Sequence, residues 1–266
     1  MDEISKLLND HSDFIDESRL RLQLKHSKIW GGCYWQSETD STNLLAVHCI
    51  DTGLAAQGLL IGADRQSSGR GRRGRIWQSP GGGLWLSLVW RPELPRRQWP
   101  LLSLLAAVSA TAALRKWYPG IGLKWPNDVY ADGHKLVGIL GEEHNGVLIL
   151  GIGVNINNVM LKCENFTAVS LAELYGQEVD PTDVLLALIQ AFEQRYLALE
   201  QQGLSGFLAE YQGLCLHRGK RCKLLREGAW LEGTDDGIDE DGRLRLNIGG
   251  QIEHISTGEV LEIEGW

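Results

Sequence analysis

At 266 residues the chain can form one large domain, or a main domain with a small appendage. Its 43% hydrophobic and 23% charged residues are those of an ordinary soluble globular protein. The net charge of −8, from 34 acidic against 26 basic residues, argues against a general nucleic-acid binder, which needs a basic footprint.

In chain order, residues 1–13 are mixed and acidic, without the basic flank and apolar run of a signal peptide. Residues 15–26 suit a short polar helix. Residues 42–49 read as a helix whose backbone donors Asp40, Ser41 and Thr42 can cap. A short apolar strand is predicted over 58–63 and an aromatic-rich one over 84–90. Leu101, Leu105, Val108 and Ala112 follow a helical period; this apolar stretch carries Ser103, Ser109 and Thr111 and is short for a membrane span.

Strand-like segments follow over 122–125, 135–141 and 147–156, with Asp132-Gly133 as the turn between the first two. Ser170 to Glu173 has capping-box spacing. Asp180 and Pro181 open a helix with Leu185, Leu188, Ile189, Phe192, Tyr196 and Leu199 on one face. From about residue 216 short β-like runs (222–225, 244–246 and 259–263) alternate with glycine-rich acidic turns, as in a small β-barrel. Cys33, Cys49, Cys163, Cys215 and Cys222 are odd in number and never form C-x-x-C. They read as reduced cytoplasmic thiols, and the seven histidines lack metal-ligand spacing.

Gly69-Arg70-Gly71-Arg72-Arg73-Gly74, followed by Arg75 and Trp77, concentrates positive charge and free backbone N–H groups in an acidic chain. It fits G-x-G-x-x-G, but a dinucleotide fingerprint needs a helix opening within the glycines. Here Pro80 and Gly81-Gly82-Gly83 precede another strand. A nucleic-acid clamp with Trp77 as stacking residue, and a solvated surface loop, are the alternatives to a small-anion site.

The loop has company. Asp40-Ser41-Thr42-Asn43 and Gln66 precede it. Lys124-Trp125-Pro126-Asn127-Asp128, Lys135-Leu136-Val137-Gly138-Ile139-Leu140 and Gly151-Ile152-Gly153-Val154-Asn155 follow it. In this order and spacing, over residues 40–157, the chain resembles the biotin protein ligases. The resemblance implies an α+β fold: a class II synthetase-like catalytic domain with a mixed sheet packed by helices over 1–214, and an SH3-like β-barrel over 215–266.

The implied activity couples biotin to ATP as biotinyl-5′-AMP, then passes biotin to a lysine of a carboxyl carrier domain. Such chemistry needs positioning and charge neutralisation rather than an enzyme nucleophile. By resemblance Lys135, Lys124 and Arg70 are catalytic. Ser41, Thr42, Asn43, Gln66, Arg70, Gly71, Arg72, Lys135, Gly138, Gly151 and Gly153 hold biotin. ATP or adenylate falls to Arg70, Arg72, Arg73, Arg75, Lys124, Asn127 and Asn155, and Mg²⁺ to Asn127 and Asp128.

On their own chemistry, Ser41 and Thr42 suit helix capping as well as a ureido ring, and Asn127-Asp128 suit a turn. Asn155 suits a strand end. Trp77 and Trp125 read as core or lid packing. The loop is expected to be mobile until an anion quenches its charge. Some forty residues before Asp40 leave no room for the winged helix of repressor members, so DNA binding is not expected. Asp236 stands where relatives can carry a basic residue. The resemblance also raises a homodimer. Lipoate ligases, a non-catalytic biotin or nucleotide regulator, and a nucleic-acid module are the rival readings.

Overall fold

The computed structural model describes residues 14–54, 58–159 and 167–266. Cys163 and the first thirteen residues lie outside them. The first described helix, α1 (Glu17–Leu24), starts at Asp16, whose carboxylate accepts the Ser18 and Arg19 N–H groups. Strand β1 (Gly32–Thr39), helix α2 (Thr42–Asp51) and strand β2 (Leu59–Gln66) form a βαβ unit with parallel strands. The remaining strands of this sheet are antiparallel: β3 (Leu84–Trp90), β4 (Gly122–Lys124), β5 (Asp128–Ala131), β6 (His134–His144) and β7 (Val147–Val154). The spatial order is β1-β2-β3-β7-β6-β5-β4, a mixed seven-stranded sheet as expected.

The alternation of strand side chains divides this sheet between two tasks. Leu84, Leu86, Leu88 and Trp90 of β3 enter the main core, as do Leu148, Leu150, Ile152 and Val154 of β7. On that side lie α3 (Trp99–Leu114), α5 (Pro181–Gln202) and α6 (Leu204–Leu214). Helix α3 is buried almost all round, between the sheet and α5. On α5, all six face residues expected from sequence are buried, and Trp90 meets Phe192 and Tyr196 edge-on. The other face is covered by α2, over a smaller cluster containing Val89, Val147 and Ile149. Further along this face come Ser87, Gly151 and Gly153. There the helix cover stops and the site begins.

Beyond α4 (Leu171–Tyr175), α5 and α6, strands β8 (Arg221–Arg226), β9 (Ala229–Ile238), β10 (Leu244–Ile248), β11 (Gln251–Ile255) and β12 (Glu259–Ile263) form a second, antiparallel sheet. Its order is β11-β10-β9-β8-β12, with register shifts between β9 and β10 and between β8 and β12. Such irregularities bend strands and increase twist, which curls a small sheet toward a barrel. The segment between α6 and β8 pairs with the first sheet: Leu123 of β4 bridges Cys215, and Leu216 N–H donates to the Leu123 carbonyl at 2.9 Å.

The expected capping box at Ser170 and the Asp180 cap are both present. The cap expected of Ser41 differs. Ser41 occupies the N-cap position of α2 but makes no side-chain cap bond, and the Thr42 N–H instead donates to Gln66 Oε1 at 2.8 Å. A long-range carbonyl therefore does the work assigned to a local hydroxyl.

Candidate functional site

A cavity of about 590 Å³ opens between the polar face of the first sheet, the Arg/Gly loop and the tip of β12. That volume is in the range of small-molecule sites, about 300–1,000 Å³. One end is neutral and closely hydrogen-bonded. Gln66 Oε1 takes the Thr42 N–H, and Gln66 Nε2 donates to Ser79 Oγ at 2.7 Å. Ser87 Oγ lies 2.8 Å from Thr42 Oγ1 and 2.6 Å from Asn43 Oδ1. Asn43 Nδ2 donates to Glu142 Oε2 at 2.7 Å, and Glu142 Oε1 is 3.1 Å from Arg70 Nη2. Ser41, Thr42, Asn43 and Gln66 are thus brought together as expected. Ser87 and Glu142 complete the group.

The other end is cationic. Lys135 Nζ pairs with Asp128 Oδ1 at 2.8 Å and stands 5.2 Å from the centre of the Trp77 ring. Lys124 is buried. Its Nζ meets the Tyr130 hydroxyl at 3.2 Å, and burial lowers its pKa below the ordinary 10.5, opposed by the Asp128 and Glu259 charges. Burial also raises the Tyr130 phenol far above its usual range, so it stays neutral. Hairpin turn 125–127 joins Lys124 to Asp128, placing the two lysines on strands either side of β5.

The Arg/Gly segment is a small flap. Trp77 N–H donates to the Gly69 carbonyl at 2.8 Å, and Gly71 N–H to the Arg75 carbonyl at 2.8 Å. Gly69 is required here, because a Cβ would come within 2.3 Å of the Trp77 carbonyl oxygen. The expected repulsion among its arginines is relieved by partners from three other elements. Arg70 has Glu142, Arg72 Nη1 donates to Asn127 Oδ1 at 3.2 Å, and Arg75 Nη2 lies 2.8 Å from Glu259 Oε2. Arg73 is exposed. Burial lowers the Arg72 pKa. At Glu259 burial is outweighed by Arg75, Lys124 and Lys135, which hold its carboxyl below 4.5.

The structure adds to three expectations. Gly138, Gly151 and Gly153 do permit close approach, but by the protein's own side chains. A Cβ at Gly138 or Gly153 would lie 2.8 or 2.5 Å from the Trp77 indole, and one at Gly151 would lie 2.5 Å from Asn43 Oδ1. Trp77 therefore lines the cavity, and its buried indole Nε1 has no hydrogen-bond partner among the described residues.

Asn127 is engaged within the protein: Oδ1 accepts from Arg72 Nη1 while Nδ2 donates to the Ile139 carbonyl at 2.7 Å. Asp128 and Glu259 supply the carboxylates at this end. Asn155 borders the cavity, yet its amide braces the strand end: Nδ2 donates to the Lys135 carbonyl at 3.4 Å and Oδ1 accepts from Asn158 at 3.2 Å.

Ser87 had a sequence signal, a lone hydroxyl in an otherwise apolar strand. Glu142 and Glu259 had none, since their roles arise from register across strands and between sheets.

Residues 36–157 match the Biotin/lipoate A/B protein ligase family, and residues 217–261 match the Biotin protein ligase C terminal domain. The chain is 32% identical over 257 residues to the Bifunctional ligase/repressor BirA of Bacillus subtilis, covering 92% of this chain and 78% of that protein. The chain belongs to the biotin protein ligases. A second relative, the Biotin--[acetyl-CoA-carboxylase] ligase of Mycobacterium tuberculosis, is 32% identical over 94% of this chain and 96% of its own length. The fold agrees with the Aquifex aeolicus biotin protein ligase in complex with biotin and ATP, with a TM-score of 0.79 at 30% identity. That match covers 87% of this chain and 98% of the Aquifex chain. The mixed sheet and the C-terminal five-stranded sheet of this chain are those of a biotin protein ligase.

Proposed function

We infer that this protein activates biotin with ATP and transfers it to a lysine of a biotin carboxyl carrier domain. The observation that carries the reading is the polarity of one cavity, neutral and hydrogen-bonded at Ser41, Thr42 and Gln66, cationic at Lys135 and Arg72, with Lys124 buried close by on β4. An uncharged ureido ring suits the first end. The second suits a carboxylate and a triphosphate that must be brought together against their mutual repulsion.

In the first step a biotin carboxylate oxygen attacks the α-phosphorus, and the bond to the β-phosphate oxygen breaks with loss of pyrophosphate. Lys135 and Lys124 neutralise the two anions, and Arg70, Arg72, Arg73 and Arg75 surround the phosphates from the flap. In the second step the acceptor lysine amine attacks the biotinyl carbonyl carbon, AMP leaves with the bonding pair, and the amine loses a proton. The flap over the cavity keeps water from the mixed anhydride, a role for which Trp77 on Gly138 and Gly153 is well placed.

Asp128 would hold magnesium, which would supply charge neutralisation on the phosphates, since Mg²⁺ commonly takes one or two carboxylates plus substrate oxygens. A catalytic unit over 1–214 with a C-terminal unit over 215–266, a cytoplasmic setting and a homodimer belong to the same proposal. Among the described residues, no helix is long and apolar enough to cross a membrane. The test is acid-dependent ATP–pyrophosphate exchange. Exchange supported by biotin and not by lipoate is expected; exchange with lipoate alone would replace biotin as the substrate.

A further inference from the structure

Outside the cavity, the half-buried Cys215 and the buried His217 and Asp235 cluster beside the Lys124-to-Asp128 hairpin. His217 is fully buried, and Asp235 is 1% exposed. The Trp125 backbone N–H donates to His217 Nε2 at 2.9 Å. A backbone amide can only donate, so Nε2 carries no proton and the neutral ring holds its single proton on Nδ1. That nitrogen lies 2.8 Å from Asp235 Oδ2, off the axis of the N–H bond.

A metal held by these three side chains would need the Nδ1 lone pair while Nε2 still accepted from Trp125, which demands a doubly deprotonated imidazole. The chemistry thus favours a hydrogen-bonded brace over a ligand set. Asp235 is itself fixed: Oδ1 accepts the Gly237 N–H at 2.6 Å, and the Cys215 thiol lies 3.7 Å from Oδ2.

The brace ends at a sensitive place. Trp125 follows Lys124 directly and precedes Pro126, which borders the cavity. Its indole Nε1 donates to the Gly242 carbonyl at 3.1 Å, so backbone and side chain of one residue are both held by the second sheet. We propose that His217, oriented by Asp235, is a positioning residue for the ATP half of the reaction. It fixes the Trp125 amide and through it the placement of Lys124 against the phosphates. The biotin end rests on α2, β2 and β3 and does not depend on this brace.

This inference rests on the ligase reading above, and the test separates the two. Biotin-dependent pyrophosphate exchange is measured for the wild type and for His217→Leu, His217→Gln and Asp235→Asn, with KM for biotin and for MgATP determined separately. Gln presents an amide oxygen where Nε2 stood. Both oxygens of Asp235 face donors, so Asn must turn its NH₂ toward one of them.

The substitutions His217→Leu and Asp235→Asn are expected to raise KM for MgATP or lower kcat by about tenfold or more, as small misplacements of a charge do. Their KM for biotin stays within about twofold, and H217Q recovers most of the loss. If H217L does not fold, D235N against H217Q carries the same comparison. Equal effects on both substrates, no effect on either, or H217Q as damaged as its counterparts would overturn the brace. No exchange in the wild type would instead overturn the ligase reading.

Discussion

Lys135 lines the cavity, whereas Lys124 is buried next to it, paired across the hairpin with the cavity residue Asp128. Lys135 has the Asp128 carboxylate at 2.8 Å; Lys124 sits buried against the neutral Tyr130 hydroxyl. Lys135→Ala is expected to leave the fold intact and reduce adenylate formation about 10²–10³-fold, the usual cost of one transition-state donor. Near-wild-type pyrophosphate release would refute that role. Burial lowers the Lys124 pKa, so between its folded-state value and 10.5 the unfolded chain binds the extra proton. In that window this group's contribution to stability rises with pH. An arriving polyphosphate restores the proton, so MgATP binding at alkaline pH is expected to take up protons and weaken as pH rises. Calorimetry in buffers of different ionisation enthalpy reads this directly, and zero uptake would contradict it. Gln66→Ala removes both the proposed ureido partner and the acceptor for the α2 N-terminus. It is expected to raise KM for biotin and cost about 1 kcal/mol of stability, the typical value of a lost cap.

At the scale of elements, the flap is closed by bonds that a ligand must exchange or keep. Arg70, Arg72 and Arg75 each lean on a different part of the fold, through Glu142 of β6, Asn127 of the hairpin turn and Glu259 of β12. Saturating biotin plus ATP is expected to slow proteolysis within residues 67–76, and unchanged cleavage would rule out closure over the adenylate. Much of this framework was legible in sequence, because the motifs carry their own local geometry: β3, α3, the Ser170 capping box and the amphipathic face of α5 all lie where periodicity placed them. Strand β1 was not. Its sequence GCYWQSET lacks clean alternation, and it is held by parallel pairing with β2 across an intervening helix. Strand β5 was hidden by Asn127-Asp128, which read as a turn although Asp128 already pairs with Lys124. Strand β11, largely exposed, offers no apolar pattern, and β9 and α6 were also missed. At the site, motif residues could be found, whereas Glu142, Ser87 and Glu259 acquire meaning only from neighbours distant in sequence.

For the whole molecule, the second sheet is part of the active arrangement rather than an appendage. It supplies Glu259 to the flap and, from the turn between β9 and β10, the Gly242 carbonyl to Trp125, and the segment leading into it pairs Cys215 with Leu123. A chain ending at Leu214 is therefore expected to lose adenylate formation at least as severely as Lys135→Ala, and retention of wild-type exchange would show the sheet to be dispensable. The central claim is that one cavity joins biotin to ATP for delivery to a protein lysine. The most direct measurement incubates the protein with biotin, MgATP and a biotin carboxyl carrier domain, then maps modified residues by mass spectrometry. The expected result is a single biotinylated lysine on the carrier, dependent on ATP and absent with Lys135→Ala. An unmodified carrier, or equal labelling without ATP, would contradict the account.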